Sequence, residues 1–450
     1  LHRNFATMKF LGKTKLLQIM DALFSVIFLI PPLLLKQIER PGVIFLSIPA
    51  GARATGMGSS YAGNGNDPTA IQYNPGVIGF FNQFQLTIMN QGPPPGLGRV
   101  IEDVWLKTLS DYFYKQAEFL SPEPPWLFSD MRYLYIGGVI PIKRYGIYGL
   151  NYTYFSRGLI DVIDPNGKYI GSFLSYDFAI GMSYGRRVKR IGMGITLKYI
   201  YSFLFPDWTP WIEDRGNGYS VALDYGIQCR FRGLNGGLSL LNLGPDIKYG
   251  MNISARLPTR LKWGISIEPI VMIDSLFFRD RVVLKNIRLA DIINIKYNFD
   301  RSYDFKYLKE DIWHGSGWEF GLLNYVYYRM GSFEWMGKSN GFGINFGLYA
   351  IDVSRFYGES YHVQVTITPN RTNFATDDPR KRKIFTICSA LIAPGAVQYY
   401  KGESIKGTLF FAPSLMLGNC YFKSTNKTAK IFSLAGIGLL YLVSAVEVFH

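Results

Sequence analysis

Cysteine is scarce. The 450 residues hold only Cys229, Cys388 and Cys420, an odd number with no CxxC pair. That excludes a disulfide scaffold and a thiolate zinc cluster. Cys229 falls on an apolar strand face, where a small hydrophobe suffices. Cys388 and Cys420 lie in apolar runs, which favours unpaired burial over a disulfide. Histidine is equally rare: His2, His314, His362 and His450 share no ligand spacing, so no metal site is expected. Acidic side chains are in deficit, 33 against 48 Lys and Arg, for a net charge of +15. Two readings of that excess stay open: attraction to anionic headgroups or acidic partners, and basic turns that anchor strand ends. No nucleic-acid fold signature accompanies it. Mean hydropathy is only +0.06, which excludes a polytopic helical bundle. No acid–base pair or nucleophile arrangement stands out, so neither catalysis nor a cofactor is expected.

What the chain does have is aromatics (16%), 47 glycines, and alternation. From Gly218 to Arg230, Tyr219, Val221, Leu223, Tyr225, Ile227 and Cys229 alternate with Ser220, Ala222, Asp224, Gly226, Gln228 and Arg230. Side chains on a strand point alternately to its two faces. One face needs an apolar surround, and the other accepts charge and tight space. The pattern returns at 173–185, 191–202, 261–268 and 361–368. Segments of about 10 residues, apolar towards lipid and polar towards the lumen, mark transmembrane barrels.

Counting such segments predicts an all-β transmembrane barrel of about 14 antiparallel strands, near 82–90, 131–141, 145–156, 173–185, 190–202, 218–231, 234–243, 259–270, 275–285, 313–323, 325–334, 341–349, 350–357 and 361–369. Long connections at 91–130, 157–172, 203–217, 244–258 and 286–312 alternate with short ones at 142–144, 186–189, 232–233, 271–274 and about Asn324. Outer-membrane barrels have short periplasmic turns and long extracellular loops. The expected location is therefore the bacterial outer membrane, with both chain ends in the periplasm. Asp177, Lys198, Asp224, Arg230, Glu319 and Arg329 fall on the lumenal face. A turn centred on Asn324 sets Glu319 across from Arg329, either as a charged ring around a pore or as an ion pair that fixes register.

Residues 1–44 read as a targeting segment: Lys9, Lys13 and Lys15 precede the apolar run Ala22–Leu35, although Asp21 and Pro31-Pro32 interrupt it. Residues 45–80 are rich in glycine and small residues, which suits a hatch packed inside the barrel, residues 81–369. Within the hatch Arg53, Asp67, Asn74, Pro75 and Gly76 are the candidate gating residues. After the barrel, a linker at 370–383 ends in Arg380-Lys381-Arg382-Lys383. The apolar runs Ile384–Tyr400, Gly407–Phe422 and Ala429–Phe449 then predict a small helical module, 384–450. Its helices either lie on a membrane, with the basic run at anionic headgroups, or span one.

The stretches GARATGMGSSYAG (51–63) and NDPTAIQYNPG (66–76) resemble the N-terminal signature of the PorV/PorQ family, itself similar to the FadL family of outer-membrane channels. LLNLGPDIKYG (240–250), LPTRLKWGISI (257–267), GWEFGLLNYVYYRMGSF (317–333) and GFGINFGLYAIDVSRF with YHVQVTI (341–367) follow in the order of that family. The resemblance implies a 14-stranded barrel with a lumenal hatch. It implies either a type IX secretion shuttle, whose partners are secreted proteins and outer-membrane lipid, or a FadL-like channel for hydrophobic small molecules. A structural envelope protein is a further possibility. The related families usually read Asn-Pro-Ala-Gly, and the alanine is missing from Asn74-Pro75-Gly76.

Overall fold

The computed structural model describes residues 42–91, 131–164, 166–209, 216–250, 253–277, 289–304, 312–322, 324–334, 336–345, 349–356, 361–368, 426–446 and isolated positions between 395 and 421. Alternation has produced strands. They are β1 (Gln85–Gln91), β2 (Arg132–Ile142), β3 (Gly146–Ile163), β4 (Tyr169–Val188), β5 (Ile191–Phe203), β6 (Asn217–Phe231), β7 (Leu234–Leu243) and β8 (Ile247–Tyr249). There follow β9 (Ile253–Ala255), β10 (Arg260–Ile267), β11 (Ile293–Asp304), β12 (Ile312–Leu322), β13 (Val326–Phe333), β14 (Gly337–Asn345), β15 (Tyr349–Phe356) and β16 (Tyr361–Ile367).

All neighbours pair antiparallel. β1 pairs with β16, and β5 with both β4 and β6, so the sheet closes. β8 and β9 form a short hairpin hung from the upper part of β6. The other 14 of the 16 strands make the ring. Closure leaves the ring itself no free edge, which is the condition for its strands to cross a bilayer.

The outer face is the apolar one. On β6, Tyr219, Val221, Tyr225, Ile227 and Cys229 are exposed, while Ser220, Ala222, Asp224 and Gln228 are buried. Aromatic rings gather at two levels of this face. Tyr148 and Tyr184 lie 5.3 Å apart near the short turns. Tyr154, Tyr176 and Phe203 form a second cluster, with centroids 6.0 and 5.4 Å apart. From Tyr176 to Tyr184 the strand rises ~26 Å at 3.3 Å per residue, or roughly 20 Å along a tilted barrel axis. That matches the apolar band and aromatic girdles of a membrane barrel. The architecture is that of bacterial outer-membrane barrels. Among the described residues no helix is long and apolar enough to cross a membrane.

The structure departs from the expected strand order at one place. Of the strand expected at 275–285, the described part, 275–277, is helical. Pro269–Phe277 is a helix, a second runs Leu289–Ile292, and 278–288 lie outside the described residues. Ile270, Val271 and Ile273 imitate a strand, but Pro269 takes the first helical position, where its missing N–H costs nothing. The ninth wall strand of the ring is instead β11. There Ile293, Ile295, Tyr297 and Phe299 alternate with Asn294, Lys296, Asn298 and Asp300. The loop expected at 286–312 therefore contains a wall strand, Ile293–Asp304. The connection expected at 271–274 is a helical insert at the short-turn end.

Residues 42–81 fill the lumen. They hold a short α-helix, Ala52–Gly56, and 3-10 turns Ile44–Ser47, Pro68–Gln72 and Pro75–Phe80. Gly42 N–H donates to the carbonyl of Arg256 at the long-loop end (3.0 Å). The segment then runs down to Gln85, at the short-turn end of β1. The first described residue thus lies at the opposite end from Thr368, which follows the last wall strand. Val43, on the targeting side of the expected boundary, is buried here with Phe45, Ala179, Ile200 and Tyr249. Beyond the barrel, Asn426 caps helix Lys427–Val446 by accepting from Thr428 N–H (2.9 Å). Phe411 packs on Tyr325, as do Val326, Ile344, Tyr349 and Ile351, at the short-turn end. Arg380, Lys381, Arg382 and Lys383 lie outside the described residues.

Candidate functional site

The plug meets the wall wherever the inner face lacks side chains. A Cβ on Gly237 would stand 2.0 Å from the carbonyl oxygen of Ala62, and one on Gly331 would stand 2.2 Å from Gly58 N. The lumenal glycines of the alternation thus admit plug backbone. Gly76 completes this fit from the other side. A Cβ there would stand 2.8 Å from three backbone atoms of wall residues 226–228. Glycine directly after Pro75 is what the contact needs, which gives the shortened Asn74-Pro75-Gly76 motif a physical account.

Polar groups then fasten the two surfaces. Arg53 reaches Glu319 with both Nε (2.8 Å) and Nη2 (2.6 Å). Register pairs Glu319 with Arg329, whose Nε donates to it (2.7 Å) and whose Nη1 donates to Asp352 (2.7 Å). Lys296 stands 3.8 Å from Glu319 and 4.0 Å from Glu268. Three strands, β11, β12 and β13, and the plug helix therefore meet at one buried carboxylate, and β15 joins through Asp352 on Arg329. Asp300 does similar work through backbone: it accepts from Tyr61 N–H (2.7 Å) and Ala62 N–H (2.8 Å), with Lys262 at 3.3 Å.

The motif residues hold the plug's own shape. Asp67 caps a 3-10 turn through Thr69 N–H (2.9 Å) and accepts from the Tyr61 hydroxyl (2.6 Å). Asn74 accepts from Gly76 N–H (2.9 Å), while its Nδ2 donates to the carbonyls of Ala62 and Ile227 (both 3.0 Å).

The remaining lumenal charges do not join the Glu319 cluster. Asp177 pairs with Arg157 and Lys198 with Asp224 (2.7 Å), both nearer the long-loop end. Arg230 donates to the carbonyl of Gly65 (2.6 Å) and lies 4.2 Å over the ring of Phe80. Sequence reasoning missed Lys296, Asp300 and Asp352 as members of the site. All three sit at inward positions, so alternation was the available signal, but two of them belong to the overlooked β11. Among the described residues no group of His, Cys, Asp and Glu is arranged to hold a metal ion.

Cavities lie on both faces of the plug. One of about 270 Å³ opens at the short-turn side, lined by Arg53, Asp67, Val77, Phe80, Phe81, Arg230, Tyr327 and Ile344 among others. A smaller one of about 60 Å³ lies at the long-loop side, against Ile48, Tyr73, Lys262, Asp300 and Trp313. Tyr61 stands between them. Its hydroxyl holds Asp67 of the first, and its ring meets Tyr73 of the second edge-on at 5.7 Å.

No protein-family model and no curated protein matches the chain. Among solved structures it is similar to the Pseudomonas putida toluene transporter TodX, at 9% identity and TM-score 0.42, over 70% of this chain and 96% of that one. It is similar to the Ralstonia pickettii toluene transporter TbuX at 12% identity and TM-score 0.39, over 70% and 96%. A Pseudomonas aeruginosa FadL homologue follows at 11% and 0.37, over 71% and 98%. Likenesses this distant assign no activity. The resemblance of the N-terminal motif to the PorV/PorQ family finds no counterpart among these structures.

Proposed function

We propose that the chain is a gated outer-membrane barrel for small molecules with an apolar body, and that residues 42–81 are its gate. The observation that carries this reading is the pair of cavities on opposite faces of one plug layer, closed from each other around Tyr61 and Tyr73. Val77, Phe80, Phe81, Tyr327 and Ile344 form the apolar part of the larger cavity, beside the polar side chains of Arg53, Asp67, Arg230, Arg329 and Asp352. Short turns face the periplasm by the general rule for such barrels, so the larger cavity is the periplasmic one. Passage needs a shift of the plug, because the two cavities do not meet.

The competing reading as a protein carrier rested on long loops at 91–130 and 286–312. The second of these contains β11, and residues 92–130 lie outside the described residues. The reading as a structural mount rests on the helical module, whose partners no contact identifies.

A reversible lock tests the gate. The hydroxyls of Thr55 in the plug and Ser354 in the wall are in hydrogen-bond contact. Cysteines at both positions (T55C/S354C) bring their sulfurs within reach of a disulfide. Uptake of a radiolabelled monoaromatic hydrocarbon is measured in cells with and without the protein. The oxidised double variant is expected to match cells lacking the protein, and reduction to restore uptake. Equal uptake in cells with and without the protein removes the channel reading. Uptake unaffected by the lock removes the gate.

A further inference from the structure

Three hairpin turns stand side by side at the short-turn end: β2–β3, β4–β5 and β6–β7. They carry Lys143 and Arg144, then Arg186, Lys189 and Arg190, then Arg232, all exposed. The turns are tied into one arc. The Tyr184 hydroxyl donates to the carbonyl of Tyr145 (2.9 Å), and Arg230 N–H donates to the carbonyl of Arg190 (3.0 Å). No carboxylate among the described residues forms an ion pair with any of the six. So many like charges on one rim repel one another unless an anion lies among them.

Their depth says which anion. The Arg190 guanidinium lies 4.4 Å over the outward ring of Phe231, and that of Arg232 lies 5.6 Å from it. Val188, Ile191 and Tyr184 are exposed on the same outer face. Arginines that fold back on a lipid-facing ring place their stems along apolar surface and their heads at its boundary. That boundary, just below the Tyr148–Tyr184 girdle, is where headgroup phosphates lie. An acidic protein would need cations standing clear of the membrane.

We propose that Lys143, Arg144, Arg186, Lys189, Arg190 and Arg232 form a binding site for anionic phospholipid headgroups in the leaflet at the short-turn end. The site is separate from the plug and independent of whether the plug opens.

The full chain, purified in non-ionic detergent, is titrated with dioleoyl phosphatidylglycerol or dioleoyl phosphatidylcholine, and bound lipid is read by native mass spectrometry. The wild type is expected to bind the anionic lipid at least ~10-fold more tightly, and R186Q/R190Q/R232Q to lose roughly 10-fold or more of that affinity. Heat-modifiable migration on a gel reports whether the variant is folded. Should it fail to fold, K143Q/R144Q and the wild type in about 0.5 M salt replace it, with a several-fold loss expected in each. Equal affinity for the two lipids, or affinity untouched by both charge removal and salt, overturns the site. Co-purification of an acidic envelope protein that depends on these cations, without a lipid preference, overturns it as well.

Discussion

Glu319 is buried and accepts from guanidiniums on two separate parts of the chain, Arg53 and Arg329. Such an arrangement is not a large source of stability in itself, because desolvation offsets much of the attraction. Its removal is another matter. Glu319→Ala leaves Arg53, Arg329 and Lys296 facing one another without their shared carboxylate. The expected cost is about 3–5 kcal/mol. Thermal unfolding in detergent measures it, and faster proteolysis within 42–81 shows whether the loss falls on the plug. Arg53 and Glu319 are 266 positions apart. Alternation puts Glu319 on the lumenal face, and composition makes the hatch compact. No local pattern matches a plug cation to one wall carboxylate.

At the scale of strands, each residue's side of the wall sets its tolerance. Val221 is half exposed on the outer face of β6, in register through Tyr199 with Ile180, midway between the two aromatic levels. Val221→Lys is expected to destabilise the barrel by about 2–4 kcal/mol, checked by urea unfolding in lipid vesicles. The strands were legible wherever two-residue alternation ran long enough. In β6 the exposed and buried sets follow the sequence reading almost residue by residue. β11 alternates as cleanly, but Lys296, Asp300 and Asp304 gave it the polarity of a loop. Those charges are inward and paired, so their polarity belongs to the lumen. The helix after Pro269 escaped for the opposite reason, since its β-branched residues carry strand propensity that a helix-starting proline overrides. The site was legible in part. Asp67 and Asn74 head caps whose sequence form, a polar residue before proline, is local, whereas the bond from Asn74 to the wall carbonyl of Ile227 is not.

For the molecule as a whole, the plug is what separates this ring from an open pore. Barrels of 16–18 strands leave an aqueous channel, and 14 strands approach that width. Deleting residues 42–81 removes the plug's donors to Asp300 and Glu319 and opens the lumen to water. The expected outcome in planar bilayers is a stable conductance that the intact chain lacks. A silent deletion variant, shown folded by its heat-modifiable migration, contradicts the plug's role as the barrier.

The path of the plug also constrains how the molecule comes into being. Gly42 is fixed near Arg256 at one mouth and Gln85 begins the wall at the other. The peptide therefore passes from one mouth to the other before the wall begins. Backbone cannot be slipped sideways through a finished ring, and the glycine-to-carbonyl contacts leave no clearance for threading it lengthwise. Some joint of the ring must accordingly close around a segment already in place, and the β1–β16 seam, where the first and last wall strands meet, is the expected one. The plug is then the former on which the cylinder is wound, before it is ever a door.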